Sequence, residues 1–214
     1  MKNSQSNLNK HLNFIKVWGF VHNDTKNYFY WIKKGGLSIS EIKLLNAFYL
    51  YKKNKKQECL ELVKTQISDD IFLEATRYYL IGLIYNQFCH YSHAIQNLKR
   101  SILLFEESGE SEFILNPLCV LANVYGNRRE VSLMAECLDN IKEFNPRSDL
   151  QKIQVMYAEI CFCNISDQNQ KAEYIYKKVK EKGFLEYEAF RPYFMTIMFM
   201  IYSKEKNTKN VIKY

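Results

Sequence analysis

The sequence predicts an all-α protein, and three observations carry that expectation. Gly and Pro number only 7 and 3 in 214 residues, too few for the turns of a β-sandwich. Apolar residues recur at helical spacing, as in Tyr78, Ile81, Gly82 and Tyr85 at i, i+3, i+4 and i+7. Helical hairpins of one layout follow each other at intervals of roughly 34 residues. Such a unit cannot bury its apolar face alone and must stack on its neighbours, so the expected architecture is an α-solenoid of antiparallel helix pairs.

Composition narrows the setting as well as the fold. With 47% hydrophobic and 25% charged residues, the chain holds enough apolar material for a sizeable core or a short solenoid, which excludes wholesale disorder. The net charge of +7 is uneven, since residues 1–60 carry eleven Lys against three acids and the remainder is close to neutral. Lys52, Lys53, Lys55 and Lys56 read as a solvated turn between helices, because this region has no Arg and no interleaved aromatic and basic motif. Nucleic acid is not expected as a partner except through this basic N-terminal region.

The six cysteines, at 59, 89, 119, 137, 161 and 163, form no pair of CxxC units and have no His at zinc spacing. They are expected to be reduced packing residues, which places the protein in the cytoplasm. The first dozen residues, MKNSQSNLNKHL, lack the apolar core of an export signal. Tyr193–Tyr202 is the most apolar run, and at about ten residues it is half a bilayer span, so it is expected to be a buried helix and no membrane partner is expected.

Taken in order, residues 1–36 carry no repeat pattern. Phe14–Val21 and Tyr28–Ile32 are aromatic-rich segments around an Asn23-Asp24-Thr25 break. They are read as two helices capping the array, with a β-hairpin as the competing assignment because YFYWI favours strands. The repeat region is then 37–214. Ser38-Ile39-Ser40-Glu41 is a capping box with Leu37 and Ile42 as its hydrophobic staple, and Leu44, Leu45, Ala47 and Phe48 form the inner side of the helix it starts. Cys59, Leu60, Val63 and Ile67 complete that pair.

Ala75–Ser108 is the best-formed unit. Gly82 lets a partner helix approach closely, Ala94 supplies the small residue opposite, and Leu98, Ile102 and Phe105 continue the second helix. Leu115–Ser148 repeats the layout. Asn116-Pro117 starts its first helix, Leu118, Leu121, Ala122 and Tyr125 form the buried side, and Leu138, Ile141 and Pro146 belong to the second. Met134 stands where a small residue belongs, beside Ala135, which implies a slight register change.

A fourth pair starts at a capping box of Ser148 and Gln151, followed by Ile153, Tyr157, Ala158 and Cys161. A loop at Ser166–Gln170, about two residues longer than the pattern allows, precedes Ala172, Tyr176 and Val179, with Gly183 as C-cap. Phe190–Tyr202 reads as one more first helix and Asn207–Tyr214 as the start of its partner, giving four pairs and a partial fifth. Such an end is a short cap, a break within a longer protein, or a surface through which a terminal helix pair forms a homodimer.

Ala75–Ser108 resembles a tetratricopeptide repeat, whose pattern runs aromatic, Leu-Gly, Tyr, Ala, large apolar, small residue, Pro. Tyr78, Ile81-Gly82, Tyr85, Ala94, Leu98 and Ser101 match in order, whereas Glu106 replaces the final Pro and implies a longer second helix. Residues 115–148 are a second match with Pro146 in place, and the flanking units are degenerate. The resemblance implies a right-handed superhelix in which Tyr78, Gly82, Tyr85, Ala94, Ala122, Tyr125 and Pro146 pack and the first helices line a concave groove.

It also implies a non-enzymatic scaffold or adaptor that binds a protein or peptide segment in that groove. In the register set by Gly82 and Ala122, the groove positions are Thr76, Tyr79, Leu83, Asn86 and Gln87, then Asn116, Cys119, Asn123 and Asn127, then Val155, Glu159 and Phe162. Asn86, Asn123 and Asn127 are the foremost of these, since an amide donates and accepts at once and so suits the backbone of an extended peptide. Two other readings stay open: a sensor or oligomerisation domain of a larger transcriptional or signalling regulator, and a protein similar to type III secretion chaperones.

Catalysis has little footing. The chain has no nucleotide-binding glycine loop, no GxSxG and no HExxH. Its four His, at 11, 22, 90 and 93, are scattered, and His90 and His93 fall in an inter-helix turn. Neither an enzymatic activity nor a metal or other cofactor is expected.

Overall fold

The computed structural model describes residues 11–23, 28–34, 36–65, 67–187 and 190–204, and among these the chain is all-helical with no strand. Two compact units, Met1–Pro117 and Leu118–Tyr214, divide it. The first holds α1 (Leu12–Asn23), α2 (Tyr28–Lys34), α3 (Ile39–Lys52), α4 (Lys56–Thr65), α5 (Ile71–Gln87), α6 (Tyr91–Glu107) and the 3-10 turn Ser111–Phe113. The second takes most of α7 (Leu115–Asn127), then α8 (Val131–Lys142), α9 (Asp149–Ile165), α10 (Asn169–Glu181), the 3-10 turn Phe184–Glu186 and α11 (Arg191–Lys204).

The aromatic segments of residues 14–32 are thus helical where described, and the hairpin assignment falls away. Phe14, Val17 and Trp18 of α1 are buried in the first unit's core. Asn207–Tyr214, expected to begin a partner helix, lies outside the described residues. No helix among the described residues is long and apolar enough to cross a membrane.

Four hairpins, α3–α4, α5–α6, α7–α8 and α9–α10, reverse on the same three-residue turn. Its middle residue is left-handed in each: Asn54, Cys89, Arg129 and Asp167, with φ between 53° and 60°. The following N–H reaches back five residues, from Lys55 to Leu50, His90 to Tyr85, Glu130 to Tyr125 and Gln168 to Cys163, at 2.8–2.9 Å. Asn and Asp enter this conformation readily; at Cys89 and Arg129 the shared hydrogen bonds hold it.

That turn fixes where the paired helices cross. Seven residues before the left-handed position and five after it stand Ala47 and Cys59, Gly82 and Ala94, Ala122 and Met134, and Ile160 and Ala172, all buried. At least one member of every pair is small: Ala47, Gly82 with Ala94, Ala122 and Ala172. A Cβ at Gly82 would lie 2.6 Å from Leu98 Cγ. The Cys59 Sγ–H donates to the Ala47 carbonyl at 3.0 Å, and the Ser101 hydroxyl to that of Ala75 at 2.7 Å.

The expected register change at Met134 is not there. Its N–H bonds Glu130 O as that of Ala94 bonds His90 O, and its thioether fits because Gly126 leaves room: a Cβ there would be 2.9 Å from Met134 Sδ. The long loop at Ser166–Gln170 is likewise the common turn, since Asn169 and Gln170 already belong to α10. Of the expected packing residues, Gly82, Ala94, Ala122 and Tyr125 are buried, while Tyr78, Tyr85 and Pro146 are half-buried. The Arg77 guanidinium lies 4.5 Å over the Tyr78 ring, and Tyr85 stacks loosely on His93 at 5.1 Å.

Successive hairpins meet helix to helix within each unit: α5 packs on α3 and α4, α9 on α8, and α11 on α9 and α10. Capping boxes start α3 at Ser38 and α9 at Ser148 as expected. Arg77 joins α5 to the end of α4, donating to Glu74 and, from Nη1, to Val63 O at 3.1 Å.

Gly82→Ala is expected to destabilise the fold by about 1–3 kcal/mol through overpacking, more than offsetting the gain of up to about 1 kcal/mol in helix propensity. Gly126→Ala should cost less, because its nearest neighbours are the flexible ends of Met134 and Ile165. Urea denaturation of the two variants checks the order.

Candidate functional site

Counting back from the left-handed residue aligns the first helices of the four pairs by geometry alone. Positions 13, 10, 6 and 3 residues before it share one helical face. They are Glu41, Leu44, Phe48 and Tyr51 on α3; Thr76, Tyr79, Leu83 and Asn86 on α5; Asn116, Cys119, Asn123 and Gly126 on α7; and Gln154, Tyr157, Cys161 and Asn164 on α9. The first position is a buried polar residue every time: Glu41, Thr76, Asn116 and Gln154. For α5 and α7 this is the stripe that the sequence assigns to a groove.

On α9 the sequence register is wrong. Val155, Glu159 and Phe162 fall off the stripe because the supposed long loop displaced the alignment. Glu159 lines up instead with Ile81 and Leu121, both buried packing residues. It therefore sits half-buried against the second helices, where burial pushes its carboxyl above the usual range and Lys171, Lys142 and Lys178 oppose the shift.

In the first unit the stripe is covered by α1. The Trp18 indole lies 5.2 Å from the Phe48 ring, 6.1 Å from Tyr79 and 6.0 Å from Phe113. Phe14 meets Phe72 edge-on at 6.2 Å, and Phe72 in turn meets Phe105 and Phe113. Thr76 and Tyr79, expected to face a ligand, are consequently core residues: Tyr79 is 2% exposed, and the Thr76 hydroxyl donates to Phe72 O at 2.9 Å. Leu83, Asn86 and Gln87 are half-buried, with the Gln87 amide donating to Tyr51 Oη.

The start of α1 is fixed by hydrogen bonds. His11 is buried, with Nδ1 3.0 Å from Glu41 Oε1 and Nε2 3.2 Å from Asp70 Oδ2, and its ring stacks on Phe72 at 4.9 Å. Both carboxylates already serve helix starts. Glu41 Oε2 accepts from the Ser38 N–H and hydroxyl, and Asp70 Oδ1 from the Leu73 N–H.

The second unit's stripe carries amides. Asn123 and Asn164 are half-buried, and the Oδ1 of each is buried without a hydrogen-bond partner. Their helices meet close by, since a Cβ at Gly126 would lie 3.0 Å from Ile165 Cδ1. Cys119 is buried and Asn127 exposed. Tyr157 leans edge-on against Tyr193 and Phe194 of α11 at 5.9 and 5.6 Å. Burial pushes the Cys161 thiol up to about 12, with a hydrogen bond to Tyr157 opposing.

Sequence reasoning missed Asn164, whose signal was its spacing from Asp167, and His11, which periodicity cannot find. Among the described residues no group of His, Cys, Asp and Glu is arranged to hold a metal ion; His90 and His93 flank Tyr85 at the α5–α6 turn. Comparison with protein-family models, curated proteins and solved structures gives no match.

An acid whose folded-state pKa is raised contributes stability below its unfolded value and loses it as pH rises through the folded one. Glu159→Gln should therefore stabilise the fold at pH 7 relative to wild type and show little or no gain near pH 4, read as urea midpoints. Of the six free thiols, Cys89 is exposed whereas burial raises those of Cys59, Cys119, Cys161 and Cys163. A thiol reagent should accordingly modify Cys89 first in the native protein and lose that fast phase in Cys89→Ser.

Proposed function

We propose that this chain is a tetratricopeptide-like scaffold that holds a peptide or protein segment and works by binding rather than catalysis. The observation that carries the reading is the pair of buried amide oxygens, Asn123 Oδ1 and Asn164 Oδ1, left without partners on one stripe of α7 and α9. A buried acceptor without a donor costs about 1–3 kcal/mol. Backbone N–H groups of an extended segment would supply those donors whatever its side chains.

The common turn, the small residue at each crossing, and the packing of α5 on α3 and α4 and of α9 on α8 support a repeat architecture. A right-handed superhelix belongs to the same proposal. Six free cysteines suit a reducing compartment, for which we propose the cytoplasm.

Peptides selected from a random phage-displayed library on the wild-type chain provide the test. They should bind Asn123→Ala/Asn164→Ala about tenfold more weakly or worse, consistent with the loss of two hydrogen bonds, while circular dichroism shows the variant folded. Selected peptides that bind the double variant as tightly as wild type would remove this reading.

A further inference from the structure

The stripe of the first unit has an occupant, and that occupant underserves its site. Among the described side chains, His11 and, from α1, Phe14, Val17 and Trp18 press inward, while Leu12 and Lys16 are exposed. An imidazole offers at most two N–H donors and one positive charge, and both ring nitrogens are committed to Glu41 and Asp70. A third acid stands within electrostatic reach of His11: Glu110 is 6% exposed, and its Oε1 is buried without a hydrogen-bond partner. Burial, with Glu112 adding to it and His11 opposing, holds the Glu110 carboxyl above the usual range.

Two carboxylates therefore bond the imidazole directly, and a third, with an unpartnered oxygen, is buried within its electrostatic reach. A guanidinium has five N–H donors in a planar fork and a permanent charge, and would serve all three. Beyond this acidic end lies an aromatic wall of Phe48, Phe72, Tyr79 and Phe113, reached by Phe14 three residues after His11 and by Trp18 seven after it. Charge and shape together define a receptor for a helix with a cation followed by aromatics at those intervals.

We propose that the α3–α5 face is a docking surface for a partner helix bearing an arginine where α1 has His11 and aromatic residues three and seven positions on, and that α1 is a resident stand-in which this helix displaces. The proposal deepens the reading of the chain as a peptide-binding scaffold and rests on it. Occupancy by α1 keeps the aromatic wall dry until a better-matched helix arrives.

The test uses two fluorescein-labelled synthetic peptides of residues 8–23, one with the native sequence and one carrying His11→Arg, added to the full-length chain. The His11→Arg peptide should bind about tenfold more tightly than the native one or better, the gain expected of added charge-assisted hydrogen bonds. Hydrogen exchange should show α1 of the chain losing protection as that peptide binds. Glu110→Gln in the chain should erase the difference between the peptides. A second arm, independent of the folding of that variant, is His11→Arg in the full-length chain: its own α1 should exchange more slowly, and it should bind either peptide about tenfold more weakly than wild type.

Equal affinity of the two peptides for wild type, or binding that leaves α1 protected, overturns the proposal. Library peptides that depend on Asn123 and Asn164 would leave the scaffold reading standing in that event.

Discussion

The close crossing of the two helices in each hairpin is the constraint on which the rest of this structure depends. At every crossing at least one facing residue gives up volume to the other helix: Ala47 against Cys59, Gly82 against Ala94 and Leu98, Ala122 against Met134, Ala172 against Ile160. Interiors pack at near-crystalline density, so such trades are tightly held. Because the three-residue turn joins the helices at a fixed distance from the crossing, it also sets their rotation. The same face of each first helix therefore carries a buried polar residue at the same position, Glu41, Thr76, Asn116 and Gln154.

That shared face meets different fates in the two units. In the first it is dry, since α1 covers it with Phe14 and Trp18 and anchors itself by placing a cation-forming side chain between two helix-capping carboxylates. Those acids serve twice, once toward backbone N–H groups and once toward His11. In the second unit the same positions hold the half-buried Asn123, Cys161 and Asn164, and the two amide oxygens are buried. One geometry thus yields an aromatic seat with a charged rim and an amide-lined strip.

Much of the fold was legible in the sequence because its determinants are local. Gly82 with Ala94, and the capping boxes at Ser38 and Ser148, declare themselves within a dozen residues. The errors have equally specific origins. Ser166–Gln170 looks like a loop because five polar residues run together, yet Asn169 and Gln170 form a first helical turn, where polar side chains are at home beside unbonded N–H groups. That misreading moved Glu159 onto the stripe and hid Asn164. Gly126 escaped notice because Ala122 already satisfied the pattern, and so Met134 seemed misplaced. The docking of α1 was beyond reach, since His11 meets partners 30 and 59 residues away, and no periodicity encodes such contacts.

The left-handed residues recur after 35, 40 and 38 residues, whereas the distance from crossing to turn to crossing never changes. All variation in length falls outside the stretch from crossing to turn to crossing, as in the 17 residues of α6 against 12 in α8, or the 3-10 turn Ser111–Phe113 that occupies the longest interval. An insertion there leaves every face aligned, and in this case it contributes Phe113 to the aromatic wall. One residue added inside a hairpin would rotate everything beyond it by about 100°. The connections between hairpins are thus where this chain can lengthen and diversify, while the geometry that aligns its faces is inherited intact within each pair.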